Sequence, residues 1–230
     1  MIVSFVTTYI SYEFNISFNV DLTLISIAVI FPLVFTIRGS FRRREKALEH
    51  LSQFRSSLKT VQYFVLSNAQ LSEENKNEAS AILIDISKDV MGHLKNSIYT
   101  TNDLDDVIDK IYKFIDEKHE LFSGKIRDKV FRFMNDVHES IENLHAIHTH
   151  RTPISLKAYC KIFIYMFPLI YAPTIINNIG YETPQWFTYF IVTVTEFILI
   201  SLYNIQDQLE FPFDDVGLDD IQLESFKLDR

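Results

Sequence analysis

LTLISIAVIFPLVFTI, residues 22–37, carries no charge, and Arg38 and the triplet Arg42, Arg43 and Arg44 follow directly. The stretch falls just short of the ~20 apolar residues that a membrane-spanning helix needs. On a helix Val29, Leu33 and Ile37 stand four apart and stack along one face. That face is either packing between helices or the wall of a narrow apolar passage. Pro32 lies inside the stretch. It removes one amide donor and frees the carbonyl four residues back, at Ala28. In hydrocarbon a freed carbonyl is tolerated where the helix faces protein or water. The reading therefore moves from a lipid-facing anchor towards a bundle interior or a pore, with Pro32 as the kink.

The composition agrees with a membrane protein whose charges are segregated. Apolar residues make up 47% and charged residues 23%, and the mean hydropathy is still +0.06. Both hold because most charges fall between residues 41 and 150. The net charge is −8, with no basic stripe and interleaved aromatics, which excludes nucleic acid as a natural partner. Cys160 is the single cysteine and excludes an internal disulfide. The opening MIVSFVTTYI lacks the basic start and cleavage site of a signal peptide.

Outward from the central stretch, four blocks emerge. Residues 1–37 hold the N-terminal membrane helices, including helix 20–37; the apolar run 2–10 covers only about half a bilayer. Residues 38–153 read as helices of soluble type, with apolar positions three and four apart, among them Leu51, Phe54 and Leu58, then Leu83 and Ile86, then Ile111 and Ile115, then Met134 and Val137. The first runs over 41–67. Ser72 is the expected N-cap of the next, with Glu73 and Glu74 in its first turn. Thr101 or Asn102 starts a third, and a break near Ser123 and Gly124 precedes a fourth. Residues 154–205 form a transmembrane hairpin with Pro168 and Pro173 as kinks, and 206–230 form an acidic tail. No window alternates at period two, so the fold class is all-α.

Charge placement sets the topology. Arg38 and Arg42 to Arg44 flank the first span, and Arg151 and Lys157 flank the next on the same side. The linker 177–185 has no Lys or Arg. Positive residues stay inside, which puts 38–157 and the tail in the cytoplasm and makes the protein multi-pass.

Four further groups are candidate sites. Glu196 lies mid-span, where an acid costs at least ~2.5–3.5 kcal/mol unless neutral, paired or wet. It is either an intramembrane functional acid or a carboxyl held by Thr193 and Thr195. His145 and His148 share a helix face near His150, as metal ligands or as a solvated helix end. Asp214, Asp215, Asp219 and Asp220 offer the oxygens calcium prefers, but in no EF-hand spacing, so a solvated acidic turn is the other reading. Asp103, Asp105, Asp106 and Asp109 would repel anions from any entrance they line. No phosphate loop, GxSxG, HExxH or Cys/His pair is present, so no enzyme and no cofactor is expected.

Three blocks together resemble the bestrophins, pentameric ion channels. They are the apolar helix ending in Arg38 followed by Ser40; Arg151-Thr152-Pro153 followed by Ala158-Tyr159; and Gln208-Leu209-Glu210-Phe211-Pro212-Phe213, with Leu218-Asp219-Asp220-Ile221 beyond. The resemblance covers most of the chain and implies a homo-pentamer around a central pore, passing chloride and other small monovalent ions. A monovalent-cation channel of the same fold and a membrane-anchored interaction protein without a pore are the alternatives. It places the hydrophobic neck at Val29, Leu33 and Ile37, where aliphatic residues stand in for the aromatic ones of many members. It implies a calcium site near Asp219 and Asp220 as a gating ligand. It also implies a longer first membrane helix, so the chain is N-terminally short.

Overall fold

The computed structural model describes residues 1–96 and 102–229, and every regular element among them is helical. In order these are α1 (Ile2–Glu13), α2 (Leu22–Leu66), α3 (Glu73–Lys95), α4 (Asn102–Glu117), α5 (Gly124–Thr149), α6 (Ile154–Ile179) and α7 (Gln185–Glu210), with short 3-10 turns at His119–Leu121 and Leu223–Phe226. Thr101, one of the two expected starts of α4, and the side chain of Asp103 lie outside this description.

Two boundaries differ from those expected. The helices expected at 20–37 and 41–67 are one continuous α2. Gly39, the only weak point between them, costs a helix about 1 kcal/mol against alanine, too little to end it without a cap or a proline. Likewise α7 continues to Glu210 rather than ending at 205. Helix also continues past Pro32, Pro168 and Pro173. α6 ends at Gly180, whose φ of +84° suits a residue without Cβ.

The chain divides into two compact units. The first contains residues 1–42 and 152–210. Here α6 packs on α7, and α1 packs on both. Its apolar centre is Val29, Leu33, Cys160, Ile164, Phe167 and Leu199. α1 is inside-out by the standards of a soluble protein. Its buried residues are Ser4, Thr7, Thr8 and Ser11, while Ile2, Phe5 and Tyr9 are exposed. The hydroxyls of Thr7, Thr8 and Ser11 return to carbonyls one turn back (2.7–2.8 Å), so small residues let the helices approach closely without an unmet donor. On the outside, Trp186, Phe190, Phe197 and Ile162 are more than half exposed. Such a surface suits lipid, not water. Among the described residues three helical stretches, Leu22–Leu66, Gly124–Ile179 and Gln185–Glu210, are long and apolar enough to cross a bilayer. This is a membrane protein. α1, at 12 residues, is about 18 Å long and shorter than the hydrocarbon layer.

The second unit, residues 43–151 and 211–230, is built as a water-soluble bundle. Leu51, Phe54 and Leu58 of α2, Leu83 and Ile86 of α3, Ile111 and Ile115 of α4, and Met134 and Val137 of α5 share one core. These are the positions that the three-four spacing marks. The acidic tail packs on this bundle through residues 211–229. Phe213, Ile221, Leu223 and Leu228 are buried in that same core, and the Leu228 amide donates to the buried Ser87 hydroxyl (3.0 Å). Ser72 caps α3, accepting from the Asn75 amide (3.3 Å), with Glu73 and Glu74 in the first turn. Ser72→Ala is expected to cost the unit about 1 kcal/mol in a urea melt, and Ser72→Asp nothing.

Candidate pore-lining face of the second helix

The membrane half of α2 has a packed and an exposed apolar face, each with i, i+4 spacing, and the exposed face also includes Ile30 and Val34, at 45% and 50%. One contains Val29, Leu33 and Ile37. Val29 and Leu33 are 1% and 0% exposed within a single chain, packed in the unit's centre, and Ile37 packs against it. Thr36 and Ser40 on the same side are buried too. A residue that lines a passage enclosed by several chains must be exposed in one chain alone. Val29 and Leu33 fail that requirement, so this stripe serves packing. The other stripe contains Ile27, Phe31 and Phe35, at 46%, 56% and 60% exposure. The Phe31 and Phe35 rings lie 6.0 Å apart, and Arg38 follows at an exposed position.

Pro32 sits between the two stripes. The carbonyl it frees, at Ala28, accepts a hydrogen bond from the Tyr159 hydroxyl of α6 (3.3 Å), and the Tyr159 ring lies against Phe163 (4.3 Å between centroids). The expected freed carbonyl therefore has a partner inside its own chain. Tyr159→Phe should cost about 0.5–1 kcal/mol. In a Pro32→Ala background, where the backbone donor returns, that cost should vanish; detergent-solubilised thermal melts of the four proteins in the cycle would measure the coupling.

Glu196 is fully buried on α7 and faces α1. Its Oε2 accepts from the Ser4 amide (3.2 Å) and pairs with the Met1 amino group (2.5 Å). The expected threonine partners are otherwise engaged in the case of Thr195, whose hydroxyl donates to the Ile191 carbonyl (2.9 Å).

Two of the sequence blocks meet. Glu210 is buried, and its Oε1 accepts from the Thr152 amide (2.9 Å). Its Oε2 accepts from the Gln206 side chain (3.0 Å) and pairs with Lys157 (2.8 Å), which also holds Asp207 (2.7 Å). The start of α6 is thereby fastened to the end of α7. One residue further on, the Arg151 guanidinium lies 4.1 Å over the Phe211 ring.

His145 and His148 find partners outside their own helix, and most of the tail acids are exposed. His145 meets His93 of α3, ring nitrogen to ring nitrogen at 3.0 Å. His148 bonds the Asn96 carbonyl (2.9 Å). Burial holds the His148 imidazole below its usual titration range, with Arg151 and His145 adding to the effect. His150 is exposed. In the tail, Asp219 is exposed and its carbonyl accepts from Arg44 (2.7 Å). Asp220 turns back to the Gly217 amide (2.8 Å) and faces Asp214. Burial, and secondly Asp214, raise the Asp220 carboxyl above the usual range. The tail carboxylates do not converge as a set of three among the described residues. A convergent set of another kind, Asp105, His138 and Glu142, was not visible in the sequence.

No family model and no curated protein matches the sequence. Solved structures do match. A bacterial bestrophin homologue from Klebsiella pneumoniae superimposes with a TM-score of 0.85 over 98% of this chain and 92% of that one, at 13% identity. The fold is that of the bestrophins. A point variant of the same homologue gives 0.84 at 14% identity over the same shares, and a crystal structure described as a membrane protein gives 0.83 at 12%, over 98% and 90%. The bestrophin fold thus accounts for nearly the whole chain, although few residues are shared.

Proposed function

We propose that this chain is one subunit of a homo-pentameric, bestrophin-like ion channel. The membrane half of α2 surrounds the axis, and Ile27, Phe31 and Phe35 form the apolar neck. The exposed aromatic stripe on a helix whose opposite face is packed carries this reading, and the bestrophin fold supports it. A ring of copies covers the stripe, leaving a constriction that passes ions by wetting and dewetting. No bond is made or broken. Residues 38–157 and 211–230 lie in the cytoplasm, by the placement of arginines.

The permeant ions are small and monovalent, chloride and similar anions. Arg38, exposed one turn beyond Phe35, attracts anions to the cytoplasmic end of the neck. A net charge of −8 favours a cation channel of the same fold as the second reading. Reversal potentials across planar bilayers with asymmetric chloride decide between them: a shift towards the chloride equilibrium potential supports the first, the opposite shift the second. A monomer in mild detergent, with no flux from proteoliposomes, would leave only a membrane-anchored interaction protein. Calcium as a gating ligand is tested in the same bilayers by chelation.

A further inference from the structure

We infer that Asp105, His138 and Glu142 form a binding site for a zinc-class divalent ion. His138 and Glu142 are one turn apart on α5 and share a face. Asp105 comes from the start of α4. His138 Nε2 lies 3.7 Å from Glu142 Oε1 and 4.0 Å from Asp105 Oδ1. One ligand atom from each residue lies within 4.8 Å of the other two. The three line a groove of about 360 Å³ together with Asp106, Asp109 and Tyr112.

The spacing separates two explanations for this grouping. A charged imidazole clasping the carboxylates would sit in hydrogen-bond contact, about 2.7–2.9 Å from an oxygen. At 3.7 and 4.0 Å neither contact is a hydrogen bond. Around a tetrahedral zinc with bonds of about 2.0–2.1 Å, neighbouring ligand atoms stand about 3.3 Å apart. The two gaps from His138 exceed this by less than about 1 Å and the gap between the carboxylates by at most about 1.5 Å, which rotation of half-exposed side chains can close.

The donor set narrows the ion. Calcium and magnesium prefer shells made of oxygen alone. One imidazole with two carboxylates suits zinc, with cobalt and manganese as weaker relatives. Three protein ligands leave a fourth position for water. Bound there, the ion ties α4 to α5.

Titration of zinc chloride into the full chain, purified in detergent and free of any histidine tag, tests the site. We expect one zinc per chain with micromolar affinity, undisturbed by excess magnesium. His138→Ala and Glu142→Gln should each weaken it at least about tenfold (roughly 1.4 kcal/mol). All three ligands are about half exposed, so the variants keep their fold, and circular dichroism with gel filtration verifies this. Asp105→Asn gives a third, volume-preserving variant. No zinc bound at roughly millimolar concentration overturns the proposal. So does wild-type affinity in both His138→Ala and Glu142→Gln, and so does binding abolished by His145→Ala alone, which would place the ion beside His93 and His145.

Discussion

Phe31→Ala combined with Phe35→Ala is expected to raise ion flux through reconstituted channels about tenfold, a barrier lower by roughly 1.4 kcal/mol. Both rings are exposed in the subunit, so their loss leaves its packing intact and its melting unchanged. Leu33→Ala should do the reverse. Leu33 has no exposed surface, and truncation opens a cavity. Buried Leu→Ala changes in water cost about 2–5 kcal/mol from lost transfer and cavity together. In lipid the transfer part largely disappears, because lipid tails are as apolar as leucine. A cost of about 1–3 kcal/mol remains, visible as a lower melting temperature with little direct change in conductance. Flux and melting measured on the same two variants decide the assignment. Raised flux from Leu33→Ala with normal melting, and none from the phenylalanine pair, would restore Val29, Leu33 and Ile37 as the lining.

Glu210→Ala should be the most damaging single truncation near the ends of α6 and α7. Glu210 is 2% exposed, and its carboxylate answers donors on Thr152, Gln206 and Lys157. Alanine leaves the Thr152 amide and the Gln206 side chain without their acceptor. Removing one partner of a buried ionic network costs about 3–5 kcal/mol. Glu210→Gln keeps one carbonyl acceptor and should recover part of that. Thermal unfolding followed by Trp186 fluorescence would rank the three proteins; equal melting of all three would show that the network contributes little.

The second unit was legible in the sequence because water imposes the rule that apolar residues face inwards. Leu51, Phe54, Leu58, Leu83 and Ile111 were all marked by spacing, and all are buried. The Ser72 cap was legible for a similar reason, since an orphan amide in water needs a local acceptor. In the membrane half of α2 that rule fails. Stripes 29, 33, 37 and 27, 31, 35 are equally apolar and equally spaced, so hydropathy cannot say which faces protein. The usable signal lay in Thr36 and Ser40. Small polar residues turn inwards in a membrane bundle, and these two flank the buried stripe. Glu210 was conspicuous only within its motif. Its partner Thr152 lies 58 positions away, and no local pattern connects them. His93 was missed, and Asp105 was read only as part of an acidic run, on the same account, as each meets its partner on another helix. The docking of the tail was not legible from composition: its acids are numerous, whereas the side chains that anchor it, Phe213, Ile221, Leu223 and Leu228, are few.

Those anchors bear on the timing of biosynthesis. Phe213, Ile221, Leu223 and Leu228 complete a core whose other members lie between residues 47 and 144. Chains are made from the amino end, and compact units generally form as soon as their residues have emerged. Here the bundle must wait, open along one side, while the ribosome makes α6 and α7. A nascent chain stalled before residue 211 would show a protease-sensitive intermediate, and a chaperone that shields that open side would have its client only during this interval.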